Sequence, residues 1–309
     1  MISLRRIAHV SLLTRDAAEA ASRWSVEFGL AERERSADRV RLACDDEPFS
    51  VELVSSEKGG LGHVAYELSR SCTLDDARRH LEECGVGWEE KEGALEVEDT
   101  EGNRVRLLGY RREDERMRFT PQARPLANPA PGHPRRLGHV NFLTANIREQ
   151  LEFYTRVLGM KVTDWLGDGG VWLHIGRDHH VMALVDKGYS HFHHLAFDVV
   201  DIGQMRAALD HLGRRGRWVA WGPVRHGIGG NIASYVRIVE EECFVELYCD
   251  MEQLEDDHEV RRWPDDRFSS NTWGQLPPRS YFRFDEAAIA SERESLEMLG
   301  YPLPEEVST

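Results

Sequence analysis

Residues 6–30, RIAHVSLLTRDAAEAASRWSVEFGL, align without a gap to residues 136–160, RLGHVNFLTANIREQLEFYTRVLGM, placing His9 on His139, Thr14 on Thr144 and Gly29 on Gly159. Each copy reads as a strand running into a helix. The helix stripes are Ala17, Ala21, Trp24, Phe28 and Ile147, Leu151, Tyr154, Leu158, the i, i+4, i+7, i+11 spacing of one buried face. A glycine closes each helix, as a left-handed cap does.

A second pair of units repeats the pattern. LGHVAYELSRSCTLDDARRHLEECG (61–85) parallels HHLAFDVVDIGQMRAALDHLG (193–213), with helix stripes Leu74, Ala77, Leu81, Cys84 and Ile202, Met205, Leu209, Leu212. Three short strand-like runs follow each helix, for example Trp218 to Trp221, Ile232 to Val239 and Cys243 to Cys249. The chain therefore reads as an α+β protein of four βαβββ modules, paired into two domains, each a curved mixed sheet around a cavity. The divisions are a first domain over 1–119, a linker over 120–134 (TPQARPLANPAPGHP, with five prolines), a second domain over 135–251 and a tail over 252–309.

The repeat also separates the two domains chemically. His174, His179, His180, His191, His193 and His194 crowd a stretch of strands, where imidazoles are costly to bury unless paired or bound. With His139 before this stretch and Glu246 after it, two imidazoles and one carboxylate suggest a metal site on three strands. Strand alternation selects His194 over His193 and puts Asn141 on the inward face with His139. The first-domain counterparts are His9, His63 and Arg106. Arginine cannot ligate a cation, so the first domain is expected to be degenerate and metal-free. Cys243 and Cys249 flank the glutamate but point to the opposite face and are assigned to packing.

With 309 residues, 41% hydrophobic and 30% charged, the chain reads as an ordinary soluble protein with two real cores. No apolar run approaches a membrane span, and the start reads as no secretory signal. A formal charge of −15 argues against nucleic acid or an anionic membrane as partner. Five cysteines without CxxC spacing point to reduced thiols in a cytoplasm.

Two histidines and a carboxylate form the facial triad of non-haem Fe(II), and Mn(II) shares the same ligands. On its motifs the chain resembles type I extradiol ring-cleaving dioxygenases of the vicinal oxygen chelate superfamily, the catechol 2,3-dioxygenase and homoprotocatechuate 2,3-dioxygenase group. The motifs are GHxN at Gly138-His139-Val140-Asn141, HHxAF at His193–Phe197 and GPxRHG at Gly222–Gly227. The resemblance implies metal ligation by His139, His194 and Glu246 and catalytic second-sphere roles for His180, His226 and Tyr235, the last two at the family's nine-residue interval. His180 would move a substrate proton; Tyr235 and His226 would hydrogen-bond the ring oxygens. Asn141, Trp172, Trp221 and Arg225 complete the expected substrate-binding group, Trp172 as a wall and Arg225 chiefly as an electrostatic anchor of its loop.

The implied partners are a catecholic substrate and dioxygen, the implied product a 2-hydroxymuconic semialdehyde type, and the implied assembly a homo-oligomer, with a tetramer favoured. The chain departs from the family at Trp221, where an arginine would hold a substrate carboxylate, and around Arg267 in RFSSNTWG (267–274). These departures favour a catechol with an apolar or neutral substituent. Glu240-Glu241-Glu242 replaces the usual turn before the glutamate. In the tail, Trp273, Tyr281 and Phe282 are candidates to cover the site mouth, ahead of a helix-like stretch at 285–300. The rival readings are a metal-dependent glyoxalase-like isomerase or epimerase, which needs a fourth ligand, and a non-catalytic small-molecule-binding protein.

Overall fold

The computed structural model describes residues 1–44, 47–112 and 133–284, with Ala287, Ala290 and Glu294 beyond them. Most of the linker and most of the helix-like stretch of the tail lie outside the described residues. The first module runs β1 (Leu4–Thr14), α1 (Ala17–Phe28), β2 (Ala31–Arg35), β3 (Arg39–Ala43) and β4 (Val51–Ser55). The second runs β5 (Gly60–Leu68), α2 (Leu74–Glu83), β6 (Glu89–Lys91), β7 (Ala94–Glu98) and β8 (Arg104–Leu108). Their strands form one sheet in the order β2-β3-β4-β1-β5-β8-β7-β6. The two modules meet at the antiparallel β1/β5 pair, while β1/β4 and β5/β8 are parallel.

The second domain repeats this plan. Its third module is β9 (Arg136–Thr144), α3 (Ile147–Glu152), β10 (Lys161–Leu166), β11 (Gly170–His174) and β12 (Met182–Asp186). The fourth is β13 (His191–Asp198), α4 (Ile202–Arg214), β14 (Val219–Arg225), β15 (Ile232–Ile238) and β16 (Cys243–Cys249). The sheet order is β14-β15-β16-β13-β9-β12-β11-β10-β17, where β17 (Arg261–Trp263) is a tail strand added parallel to β10. That edge strand is not expected from the sequence of the tail. It forms because Arg261 and Trp263 both reach the buried Asp164 of β10.

Local chemistry explains the helices and their exceptions. Asp16 caps α1, accepting from the amides of Ala18 and Glu19, and Gly29 ends it at φ 71°. Thr73 and Asp76 close a reciprocal capping box on α2. The third module departs from the single long helix the spacing predicts. After Glu152 the chain turns π-helical over Phe153–Val157, which buries both Phe153 and Tyr154 and puts the Tyr154 hydroxyl 3.0 Å from Asp99 of the first domain. On α4, Met205, Ala208 and Leu212 are buried, whereas Ile202, placed in the stripe by its spacing, is 49% exposed at the first turn.

The acidic triplet after β15 joins the domains. Glu241, wholly buried, accepts from both terminal nitrogens of Arg23 (2.6 and 3.2 Å) and from Trp24 Nε1 (3.0 Å). Arg217 bridges Glu27 of the first domain and Glu240 of the second. Trp24 in turn meets Phe197 edge-on, 6.5 Å between ring centres. The hairpin that departs from the family pattern is thus the anchor between the two sheets. All five cysteines are free, and Cys243 and Cys249 lie in the core.

Candidate metal and substrate site

The second sheet wraps a cavity of about 370 Å³. His139 comes from β9, His194 from β13 and Glu246 from β16, neighbouring strands whose register sets Ala196 opposite both His139 and Glu246. Gly138 permits this approach, because a Cβ there would meet the Tyr248 hydroxyl at 1.9 Å. Glu246 Oε2 lies 3.0 Å from His139 Nε2 and 3.1 Å from His194 Nε2, and all three residues are buried. Cis donors on an ion with bonds of roughly 2.1 Å stand about 3 Å apart. The three side chains therefore fit a divalent cation. Burial alone would raise the Glu246 carboxyl, but His139 and His194 outweigh it and hold the group well below the usual carboxylate range.

The surrounding hydrogen bonds settle which nitrogen of His194 and of His226 carries the hydrogen. His193 Nε2 donates to the Tyr281 carbonyl at 2.7 Å, so its Nδ1 accepts from His194 Nδ1 at 2.8 Å. His194 Nε2 is then free to ligate. Asn231, 2% exposed, donates to Glu246 Oε1 at 3.1 Å and orients the carboxylate. Sequence reasoning missed Asn231; its one signal was the glycine-rich GIGGN run after His226. His226 Nδ1 donates to the Ser270 carbonyl at 3.0 Å, so Tyr235 Oη donates to His226 Nε2 at 2.8 Å. Burial, reinforced by Glu246, pushes the Tyr235 hydroxyl well above its ordinary pKa. Burial likewise lowers His226 and, with His139 and His179, drives His180 well below the usual imidazole range.

His180, His226, Tyr235, Asn141, Trp172 and Trp221 all line the cavity. Trp221 stacks on Tyr235 at 5.0 Å and 12° and is held by Nε1 to the Gln275 carbonyl. Arg225 does not line it. This corrects its place among substrate-binding residues: it turns outward to Asp250 at 3.0 Å, and its backbone pairs with Trp273, consistent with its expected role as loop anchor. Of the tail aromatics, Tyr281 and Phe282 line the cavity, whereas Trp273 does not and is 45% exposed. His174 and His191 bond Thr163 and the Glu242 carbonyl away from the ligand set.

The first domain holds a related but different cluster. Arg106 stands opposite Ala65, the register position that Glu246 occupies opposite Ala196, and is paired with Glu96 at 2.7 Å. His9 Nε2 and His63 Nε2 are 2.9 Å apart. The sequence alignment missed Glu52 of β4, whose carboxylate lies within 4.8 Å of both rings. That carboxylate is bound by Arg41 at 3.0 Å and Arg39 at 3.5 Å, so the cluster is built into an ion-pair network.

Residues 136–240 match the model of the Glyoxalase/Bleomycin resistance protein/Dioxygenase superfamily. The second domain is thus similar to that superfamily, and both paired βαβββ sheets hold a buried His/His/Glu cluster, His9/His63/Glu52 in the first and His139/His194/Glu246 in the second. Two curated proteins similar to the chain are named as metapyrocatechases. "Metapyrocatechase 2" of Cupriavidus necator is 31% identical over 160 residues, half of this chain and 49% of that protein, so the match spans about half its length. The homoprotocatechuate 2,3-dioxygenase of Brevibacterium fuscum, solved as an anaerobic complex with 3,4-dihydroxyphenylacetate, superposes with a TM-score of 0.77 at 21% identity, over 91% of this chain and 92% of that one. The Mn(II)-bound glyoxalase of Novosphingobium aromaticivorans superposes with a TM-score of 0.79 at 21% identity, over 92% and 95% of the two chains, a likeness of fold.

Proposed function

We propose that the protein is an extradiol dioxygenase that uses a divalent metal, Fe(II) by preference with Mn(II) as alternative, to open a catechol beside its hydroxyls and yield a 2-hydroxymuconic semialdehyde type of product. The observation that carries this reading is the His139/His194/Glu246 set facing the same cavity as His180 and the His226–Tyr235 pair. When bound, the metal supplies a Lewis-acid template that brings the catechol oxygens and dioxygen side by side.

The chain does the rest. His180, kept neutral by burial, accepts a phenolic proton and later returns it. Tyr235, whose own hydrogen goes to His226, offers oxygen lone pairs to a substrate O–H. Trp172, Trp221 and Tyr281 wall the ring, and the tail segment around Tyr281 and Phe282 excludes water from it. Lys187 is the one Lys or Arg among the lining residues; its ammonium sits over the Phe282 ring at 4.2 Å, with Asp186 and Asp265 also in the lining. This supports a substrate with an apolar or neutral substituent.

An isomerase needs a fourth ligand, and among the described residues only His139, His194 and Glu246 gather as ligands in this domain. Glu52 of the first domain shows that a carboxylate opposite Ser11 reaches near the histidine pair; the matching residue opposite Asn141 is Ala183. The test is anaerobic purification, metal analysis and addition of unsubstituted, alkyl, aryl and carboxylated catechols in air. Yellow product with one oxygen consumed per catechol, fastest on the uncharged members, is the expected result. Bound iron with no colour on any catechol would overturn the reading.

A further inference from the structure

His180 sits in a buried chain of three residues that reaches away from the cavity to the tail strand. Asp164 Oδ2 accepts from His179 Nε2 at 3.0 Å, and His179 Nδ1 lies 3.0 Å from His180 Nδ1. Asp164 and His179 are both wholly buried. Burial would raise the Asp164 carboxyl, but hydrogen bonds from His179, Arg261 and Trp263 outweigh it and hold the group at about 2. An ionised Asp164 accepts only, so His179 Nε2 carries a hydrogen. In the neutral ring Nδ1 is then an acceptor, and the hydrogen between the two imidazoles belongs to His180 Nδ1.

We propose that Asp164 and His179 are positioning residues that fix His180 in its Nδ1–H tautomer, with a bare Nε2 on the side of the ring that meets the cavity. The substrate O–H bond then breaks toward Nε2 and an N–H bond forms there, with no other reactant required. The resulting imidazolium keeps its Nδ1–H on His179, whose opposite edge rests on the Asp164 carboxylate. Without this pair the ring would be free to hold its hydrogen on Nε2, the wrong nitrogen for a base.

The surroundings are shaped for this role. Arg261 Nε reaches Asp164 at 2.9 and 3.1 Å and Trp263 Nε1 at 2.8 Å, so the edge strand β17 clamps the carboxylate. The His179 amide bonds the Glu252 carbonyl and its carbonyl accepts from Thr163 Oγ1, which fixes the residue from both sides. Gly229, at φ +75°, lies against the His179 ring, where a Cβ would come within 3.1 Å of Nδ1. A structural core histidine needs none of this directional arrangement between two rings.

The inference rests on the proposed activity for what His180 does, but not for which nitrogen carries its hydrogen. The test therefore has two arms on the full chain. In ¹⁵N-histidine-labelled protein loaded with Zn(II), the resonance lost in His180→Gln should report the Nδ1–H tautomer, and His179→Phe should shift it to Nε2–H or to a mixture. With the native metal, His179→Phe should lower kcat about 10- to 100-fold while KM and bound metal stay within about twofold, as for partners that orient a functional ring. His179→Asn, whose Oδ1 can accept from Nδ1–H, should recover most of kcat. An Nε2–H His180 in the parent protein, an unchanged tautomer in His179→Phe, or a loss shared by KM and metal content and not rescued by asparagine, would overturn it. Failure of the parent protein to turn over any catechol would sink the proposed activity, and the NMR arm would still decide the tautomer.

Discussion

Glu246 Oε2 lies 3.0 Å from His139 Nε2, an ion-pair distance between two buried groups that sit on strands separated by β13. Buried charges are stable only when paired or metal-bound. The spacing is that of two donors on one ion, so the pair is placed to hold a cation between them.

Glu246→Gln keeps the shape and the Asn231 contact of the side chain but removes its charge. Bound metal should fall from about one ion per chain to below about 0.1, since affinity depends on deprotonated ligands. Elemental analysis of the purified variant reads this directly, and metal retained at parent level would refute the ligand role.

Tyr235 and His226 act as one unit, with Tyr235 donating at 2.8 Å to a nitrogen whose partner is fixed on Ser270. Tyr235→Phe and His226→Phe should each lower kcat on the preferred catechol about 10- to 100-fold, and the double variant should lose little more. Additive losses in steady-state kinetics would show that the two work separately.

Glu241 is the buried acceptor for Arg23 and Trp24 across the domain interface. Glu241→Ala leaves the Arg23 guanidinium, itself 7% exposed, without its closest partner. Breaking one side of such a pair costs about 3–5 kcal/mol. Urea unfolding should show the loss, while a change under about 1 kcal/mol would mean that Glu19 and Glu240, at 3.4 and 3.7 Å from Arg23, suffice for it.

Burial lowers His63 to about 3, with Arg106 adding to the effect, and lowers His174 to about 4, with Lys161 adding. In the unfolded chain both titrate near about 6.5. Below that value the unfolded state takes up protons that the folded state refuses, so stability is full above about pH 6.5 and declines as pH falls to about 4 for His174 and about 3 for His63. Thermal melting across this range should show the decline, and His63→Gln should make it shallower. A slope identical to the parent's would exclude His63 as a contributor.

The sequence by itself determined the plan of the molecule, because period and repeat are properties of the chain alone. The ungapped match of 6–30 to 136–160 carried the four-module fold, and two-residue alternation put His139, His194 and Glu246 on inward faces, where the structure brings them together. The same periodicity misled at Ile202 and after Glu152, where helix ends and a π-turn changed the phase.

Only the tertiary structure decided the hydrogen-bond directions and the partners contributed by distant strands. Asn231 on Glu246, Glu52 beside His9 and His63, Asp164 behind His179, Tyr281 behind His193 and Glu241 across the domain interface join residues whose sequence spacing follows no local period. The chain encodes which faces are buried; which nitrogen of a buried imidazole stays bare depends on the atoms that folding places at its other edge.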